Sequence, residues 1–534
     1  MFLPQLPYTN NQIKRSTIEW KGLNRKSLIA DNELSEMSNM STKNFPLLSP
    51  RLPRVTSYTL AAGYALFAAT KLAWVDGTNF KYDNVTKGTV TASAKSMVEL
   101  SQRIAIFPDK ISYDTVGGTF AAMHGSVSMS QYGYDASGVI DTSVTTKIHN
   151  TIRVIVTPGT AYTLTNDKSY TAATAYYFDA NSVFISSAAV NFASFTTPAT
   201  AYSMNFDVTG TDVTVVIKIT NAVYPTAGAI PDIDYACTLN NRVWGVEGDD
   251  IYCTALGDIN DWTTFLNPDG TVNDAGAWQV DTGSNGSFTG IASYKGTILV
   301  FKNDRVWKLF GDTPNDFQLV EISRLGCTNG KSICEVNNIL FWLNPQGIVA
   351  YTGGTPEVIS QNLNDSYTSG VAGGDGRRYY ISLYNGSIYT LYVYDTWESV
   401  WASEDSLNVT EFSYFDGYLY ALASDNKIWE FGSGTEKVLW YVVTKEFAKE
   451  VSNKKGHSEL SFRVDLESGS ALYIYIREDN GSFRLVKSYS VTDLTNFNVA
   501  IKPKRCDHFT VKIAGTGEST IHEMTRKFYV GSEV

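Results

Sequence analysis

Histidine, cysteine and proline are all sparse in this chain of 534 residues, and each scarcity removes a class of function. The five histidines, His124, His149, His457, His508 and His522, are widely scattered. None belongs to an HExxH pair or stands beside a Gly-x-Ser-x-Gly elbow, so neither zinc nor serine hydrolysis has a foothold. The five cysteines, Cys237, Cys253, Cys327, Cys334 and Cys506, include no CxxC pair and are odd in number, which argues against a disulfide framework and a zinc site alike. They read as small apolar residues within strands. No apolar run approaches the length needed to span a bilayer, and the opening Met-Phe-Leu-Pro-Gln-Leu-Pro lacks the basic start and apolar stretch of a secretion signal. The expectation is a soluble protein made in a cytoplasm. A net charge of −11 speaks against a nucleic-acid binder as a whole. Amphipathic helical stretches are missing too, while Thr, Val, Tyr, Ile and Gly are plentiful, so the chain reads as all-β.

What is present is a repeat. Seven short segments, each an apolar strand, a turn of Asp, Asn, Gly or Pro, and a second strand, recur at residues 72–81, 104–112, 243–252, 299–307, 340–349, 380–389 and 419–429. The first apolar residue after each turn is Phe80, Ile111, Ile251, Val306, Ile348, Ile388 and Ile428. The later steps are roughly 55, 42, 40 and 40 residues, the spacing of four-stranded propeller blades. This predicts a β-propeller of about seven blades, with Trp244, Val300, Trp342, Ile381 and Leu422 buried between them.

The step from Ile111 to Ile251 is too long by roughly a hundred residues, and the excess is strand-like rather than loop. Residues 126–223 are therefore expected to form an inserted β-sandwich, splitting the propeller into 54–125 and 224–438. After the seventh hairpin the blade period stops. Alternating segments such as Leu472-Tyr-Ile-Tyr-Ile-Arg477 and Phe509-Thr-Val-Lys-Ile513 predict a second β-sandwich over 439–534. Residues 1–53 hold five of the fifteen prolines and little periodicity, so they read as an extended docking arm that orders only against a partner. The arm is locally basic, through Lys14, Arg15, Arg25 and Lys26 among others, which suits an acidic neighbouring protein better than DNA.

Two acidic clusters invite chemistry. Asp249, Asp250, Asp258 and Asp261 are the kind of carboxylates a glycosidase would pair across a pocket, but Asp and Gly are also what hairpin turns demand. The loop from Asn267 to Asp274 is rich in oxygen ligands yet lacks EF-hand spacing, and reads as a plain turn. No catalytic residue, metal site or cofactor is expected.

Two stretches carry a resemblance. The run Asn241-Arg-Val-Trp-Gly-Val-Glu-Gly-Asp-Asp-Ile-Tyr-Cys-Thr-Ala-Leu-Gly-Asp-Ile-Asn-Asp-Trp262 resembles the blade signature of β-propeller virion proteins of tailed bacteriophages. Residues 20–40, which include Gly22-Leu-Asn24 and Asp31-Asn-Glu-Leu34, followed by Leu47-Leu-Ser-Pro-Arg51, are similar to the opening of the same proteins, and Pro503-Lys-Arg-Cys-Asp-His508 and Ile513-Ala-Gly-Thr-Gly517 to their terminal sandwich. The inserted block, with Val156-Thr-Pro-Gly-Thr-Ala-Tyr162 and Tyr177-Phe-Asp-Ala-Asn-Ser-Val-Phe184, is similar to a small sandwich module of phage tail and baseplate proteins.

The resemblance implies a structural component of a phage tail, a ring-forming nozzle or a tail or neck protein. Its partners would be copies of itself and other tail, adaptor or portal-proximal proteins, and nucleic acid would at most pass through a channel. It also implies an alternative, a receptor-recognition protein that binds a host-surface glycan through exposed aromatic rings of the insert. Tyr162, Tyr176, Tyr177 and Phe184 are the candidates for that contact, and Lys14, Arg15, Arg25 and Lys26 for docking of the arm.

Overall fold

The computed structural model describes residues 12–123, 125–127, 129–151, 153–215, 217–219, 230–263, 265–266, 271–447, 455–501 and 505–530. Apart from one three-residue 3-10 turn, Gly330–Ser332, every regular element among them is a strand. The chain divides into two units, residues 67–330 and residues 1–66 with 331–534.

Each of the seven hairpins found in the sequence is the centre of a four-stranded sheet, and in the first six the strands lie side by side in order of connection. Four sheets, at 63–89, 96–122, 235–281 and 290–323, belong to the first unit, the unit boundary falling inside the opening strand Gly63–Ala68. Three belong to the second, at 334–358, 369–403 and 409–431. The last of these has only three strands of its own. Its fourth is Arg54–Thr59, paired antiparallel with Lys427–Phe431. Residues 54–59, expected in the first blade, thus complete the last sheet instead.

The turns explain why these strands pair in register. In five sheets the first and second strands are joined by two residues that both carry positive φ: Ser101-Gln102, Asn240-Asn241, Lys295-Gly296, Asn337-Asn338 and Asp416-Gly417. That is the conformation of a type I′ turn, whose twist matches the strands it joins, and Asn, Asp and Gly tolerate it at least cost. Trp244, Val300, Trp342, Ile381 and Leu422 are all buried, as the hairpin register predicts. Ile388, counted as the start of a strand, sits exposed in the turn before Tyr389–Asp395.

The insert is a sandwich within the first unit. A three-stranded sheet, Gly125–Val127, Ile217–Ile219 and Leu164–Asn166, is accompanied by a larger one in the order Met129–Gln131, Lys147–Asn150, Ser203–Thr209, Ala172–Phe178, Phe184–Asn191. Ile148, Val154, Tyr177, Met204, Phe206 and Ile219 form its core. Its two ends pair with each other, Gly125 opposite Ile219.

The second sandwich draws on both ends of the chain. One sheet runs Gln12–Thr17, Ser519–Val530, Lys455–Leu466, Thr495–Ala500, and the other Leu34–Ser38, Leu439–Thr444, Phe509–Thr516, Ala471–Glu478, Arg484–Tyr489. Trp20, Leu23, Leu34, Met37 and Met40 are buried in the same core as Val442, Phe462, Ile474, Ile513 and Met524. The expected free arm is corrected here: its described residues order against their own chain. Each segment is too short and too polar to bury a face alone, but a single added strand needs only a sheet edge and a few apolar anchors.

Candidate functional site

Three of the four aromatic residues predicted to meet a glycan are inside the insert. Along Ala172–Phe178 side chains alternate between faces, so Tyr177 enters the sandwich core while Tyr176 and Phe178 point the opposite way. That second face is not open, because Tyr134 packs on it, its ring 5.2 Å from that of Tyr176. Tyr162 is buried in the core, and its hydroxyl accepts the amide of Thr157 at 2.8 Å. Phe184 is half-buried, edge-on to Phe178. As placed, Tyr162, Tyr176 and Tyr177 present no ring to solvent, a correction to their predicted stacking role.

Beneath Tyr176 lies a buried polar knot that the sequence did not reveal. The Asp207 carboxylate, fully buried, accepts the Tyr176 hydroxyl at 3.1 Å, the Tyr134 amide at 3.0 Å and the Lys147 ammonium at 2.8 Å. Burial, reinforced by the Asp207 charge, pushes the Tyr176 hydroxyl above its ordinary range. The Arg153 guanidinium covers the Phe178 ring at 3.7 Å. Every donor here serves the fold.

Of the predicted docking residues, Lys14 and Arg15 lie exposed on Gln12–Thr17, which pairs with Ser519–Val530 so that Arg15 faces Arg526 across the sheet. Arg526 and Lys445 hold Asp31, the latter at 2.8 Å. Arg25 donates to the Tyr392 hydroxyl at 2.6 Å, and Lys26 is exposed. The structure does not bring the four together into one patch.

Sequence reasoning missed a denser cluster at the other end of the same segment. Arg54 is buried, stacks over Phe431 at 4.2 Å, contacts Glu404 and donates to Asp405 at 2.8 Å; Arg51 reaches Asp405 at 3.3 Å. Burial raises the Glu404 carboxyl above the usual range, opposed by the two guanidiniums. Beside them Asp395 accepts Thr42 at 2.7 Å and Arg377 at 2.8 Å. Arg378, Tyr380, Tyr418 and Phe431 join this cluster in lining a cavity of about 240 Å³. The arrangement fastens residues 42–54 to the two neighbouring sheets through charge-assisted bonds. Its signal in the sequence was the basic pair itself, which the acidic partners, some 350 residues away, hid.

The acidic clusters behave as turn chemistry. Asp258 and Asp261 cap the amides of Asn260 and Thr263, each at 3.0 Å, and Asp249 meets Lys302 at 3.6 Å. Residues 267–270 of the oxygen-rich loop lie outside the described residues. Among the described residues no group of three His, Cys, Asp or Glu is set to hold a metal ion. Burial pushes the Cys253 thiol up to about 12, which keeps it protonated and unreactive.

No protein-family model and no curated protein sequence matches the chain. Among solved structures, an exo-β-1,3-galactanase of Phanerochaete chrysosporium with galactose is 8% identical over 55% of this chain and 94% of its own, at a TM-score of 0.22. An acylaminoacyl peptidase complex is 9% identical over 74% of this chain and 59% of its own, at 0.27. A protein solved with β-1,4-galactotriose is 16% identical over 18% of this chain and 66% of its own, at 0.13. Scores this low carry no argument about fold or function.

Proposed function

We propose that this chain is a structural subunit of a tailed-phage virion, a seven-bladed β-propeller that assembles as a ring at the nozzle, tail or neck. The observation that carries the reading is the last four-stranded sheet, which takes its fourth strand from Arg54–Thr59 near the chain start. An early strand in the final blade is how a propeller locks its ends together, and radial repetition leaves only short sheet edges to protect. The blade-like run 241–262 and the opening segment 20–51 support the virion reading by resemblance. Charge-assisted bonds and turn caps account for the polar clusters, in keeping with a part that bears load rather than turns over substrate.

The test is assembly and particle content. Purified protein viewed by negative-stain electron microscopy is expected to form closed rings of uniform diameter, and the protein is expected in purified particles in a fixed multiple per tail. A monomeric protein absent from particles overturns the proposal.

A further inference from the structure

Two polar atoms in the cavity beside Arg54 serve no bond of the fold. Glu404 is 5% exposed, and its contacts with Arg54 and with Arg51, the latter at 3.7 Å, both fall on the oxygen Oε2. Its Oε1 has no partner among the described residues. Arg378 donates through Nε to Asp375 at 2.9 Å and through Nη1 to the Ser41 hydroxyl at 3.4 Å, while its Nη2 has no partner among them. Both free atoms remain accessible, and both residues line the same space of about 240 Å³. The side chains are near enough for the Glu404 charge to act on the Arg378 guanidinium.

The chemistry of an occupant follows from what these groups already hold. Each charge has a fixed counter-ion, Glu404 in Arg54 and Arg378 in Asp375, so a ligand bringing an ion of its own would meet a like charge beside the opposite one. What is left over is one acceptor and one donor. A hydroxyl answers both at a single oxygen, since it gives one hydrogen and offers two lone pairs. An amide splits the two roles between atoms that point apart across a planar trans bond. Phe431 and Tyr418 add an aromatic wall, and Tyr418 keeps 46% of its surface exposed. A buried carboxylate and a guanidinium set against aromatic surface suit a ring with hydroxyls on its edge and C–H bonds on its face.

We propose that this cavity binds a pyranose sugar, free or as the end of a glycan chain, through hydroxyls that donate to Glu404 and accept from Arg378. The site neither needs nor tests ring assembly. The test is a saturation-transfer difference NMR titration of the full chain. The probes are methyl β-D-glucopyranoside, methyl β-D-galactopyranoside and methyl α-D-mannopyranoside, with cellobiose, lactose and α-1,2-mannobiose, which end in the same three sugars. Tetrahydropyran, a ring without hydroxyls, and N-methylacetamide, an amide, are the controls. Saturable binding of at least one glycoside is expected, weakened about tenfold or more by Arg378→Gln, the loss of one charge-assisted hydrogen bond, and weakened in the same direction by Tyr418→Ala. Tighter binding of the disaccharide assigns the site to a glycan end; tighter binding of the methyl glycoside assigns it to a free sugar. Absence of saturable binding by every glycoside, affinity unchanged in both variants, or equal binding of either control overturns the proposal. Tyr418 is half exposed, so its truncation leaves the fold, and unaltered thermal melting separates lost binding from lost structure.

Discussion

The two sandwiches of this molecule have similar layers but opposite dependence on the chain. The insert closes on itself: its strands are contiguous in sequence, and Gly125 and Ile219 pair at its two ends. The terminal sandwich is completed by Gln12–Thr17 and Leu34–Ser38, more than four hundred residues from the strands they join. A contiguous sandwich can be gained or lost as a cassette. One stitched from both chain ends makes the fold of its whole unit conditional on a short, polar-looking leader.

The largest effect expected from this contrast is on deletion of residues 12–45. The segment contributes Trp20, Leu23, Leu34, Met37 and Met40 to the core. Each large-to-small loss costs about 2–5 kcal/mol, so the five together cost about 10–25 kcal/mol, as much as or more than the roughly 5–15 kcal/mol by which a domain is stable. The truncated chain should aggregate or lose its cooperative melting transition in calorimetry. A soluble, fully folded truncation, which the sequence taken alone predicts, would break the comparison.

Next in size is Asp207→Ala, which strands Lys147 and Tyr176 in the insert. Removing one partner of a buried pair costs about 3–5 kcal/mol. Hydrogen exchange should show the loss confined to residues 129–209, because the insert is a cassette; a loss spread over the four sheets of its unit would mean the two fold as one.

The third concerns acid. Burial alone would raise the Asp395 carboxyl, but the bonds from Arg377 and Thr42 and the amides of Glu398 and Trp397 more than offset it, and it lies below its usual value of 3.8. A carboxyl lowered on folding contributes stability above its unfolded value and loses it as pH falls through the lower folded one. Chemical denaturation of the parent should therefore weaken below about pH 4. Asp395→Asn should cost about 1.5–3 kcal/mol at pH 7 and flatten that acid slope; an unchanged slope would free Thr42 from any part in stability.

The smallest effect is expected from excision of the insert, by joining Gly125 to Tyr224 through a short Gly/Ser linker. The remaining chain should keep its denaturation midpoint to within about 0.5 kcal/mol. A variant that cannot fold would show that the insert is not a cassette.

Which parts the sequence revealed follows the same contrast between local and distant pairing. The seven hairpins were legible because both strands and their turn lie within about a dozen residues. The outer strands were not: Gln318–Ser323 and Ser369–Gly374 alternate weakly and are named as strands only by their partners. The two-residue turns Asn240-Asn241, Asn337-Asn338 and Asp416-Gly417, both residues at positive φ, are local signals that mark where the first strand of each of these sheets ends. The leader escaped because its apolar residues keep no period and its partners stand at the far end of the chain. In the insert, the adjacent Tyr176 and Tyr177 fall on opposite faces of their strand, so the two could not both have met a glycan on one face, and nothing local says that Tyr134 covers the outer one. The Arg54, Glu404 and Asp405 cluster was hidden in the same way as the leader.

The central claim is that residues 12–59 complete sheets of their own chain. Val55 and Glu430 are direct partners across the last sheet, so Val55→Cys with Glu430→Cys places two thiols within bridging reach. Oxidised under mild conditions and run on a non-reducing gel beside the parent, the double variant should give a monomer of increased mobility. A ladder of covalent dimers and higher species would show that the strand crosses to a neighbouring subunit, and would contradict the account.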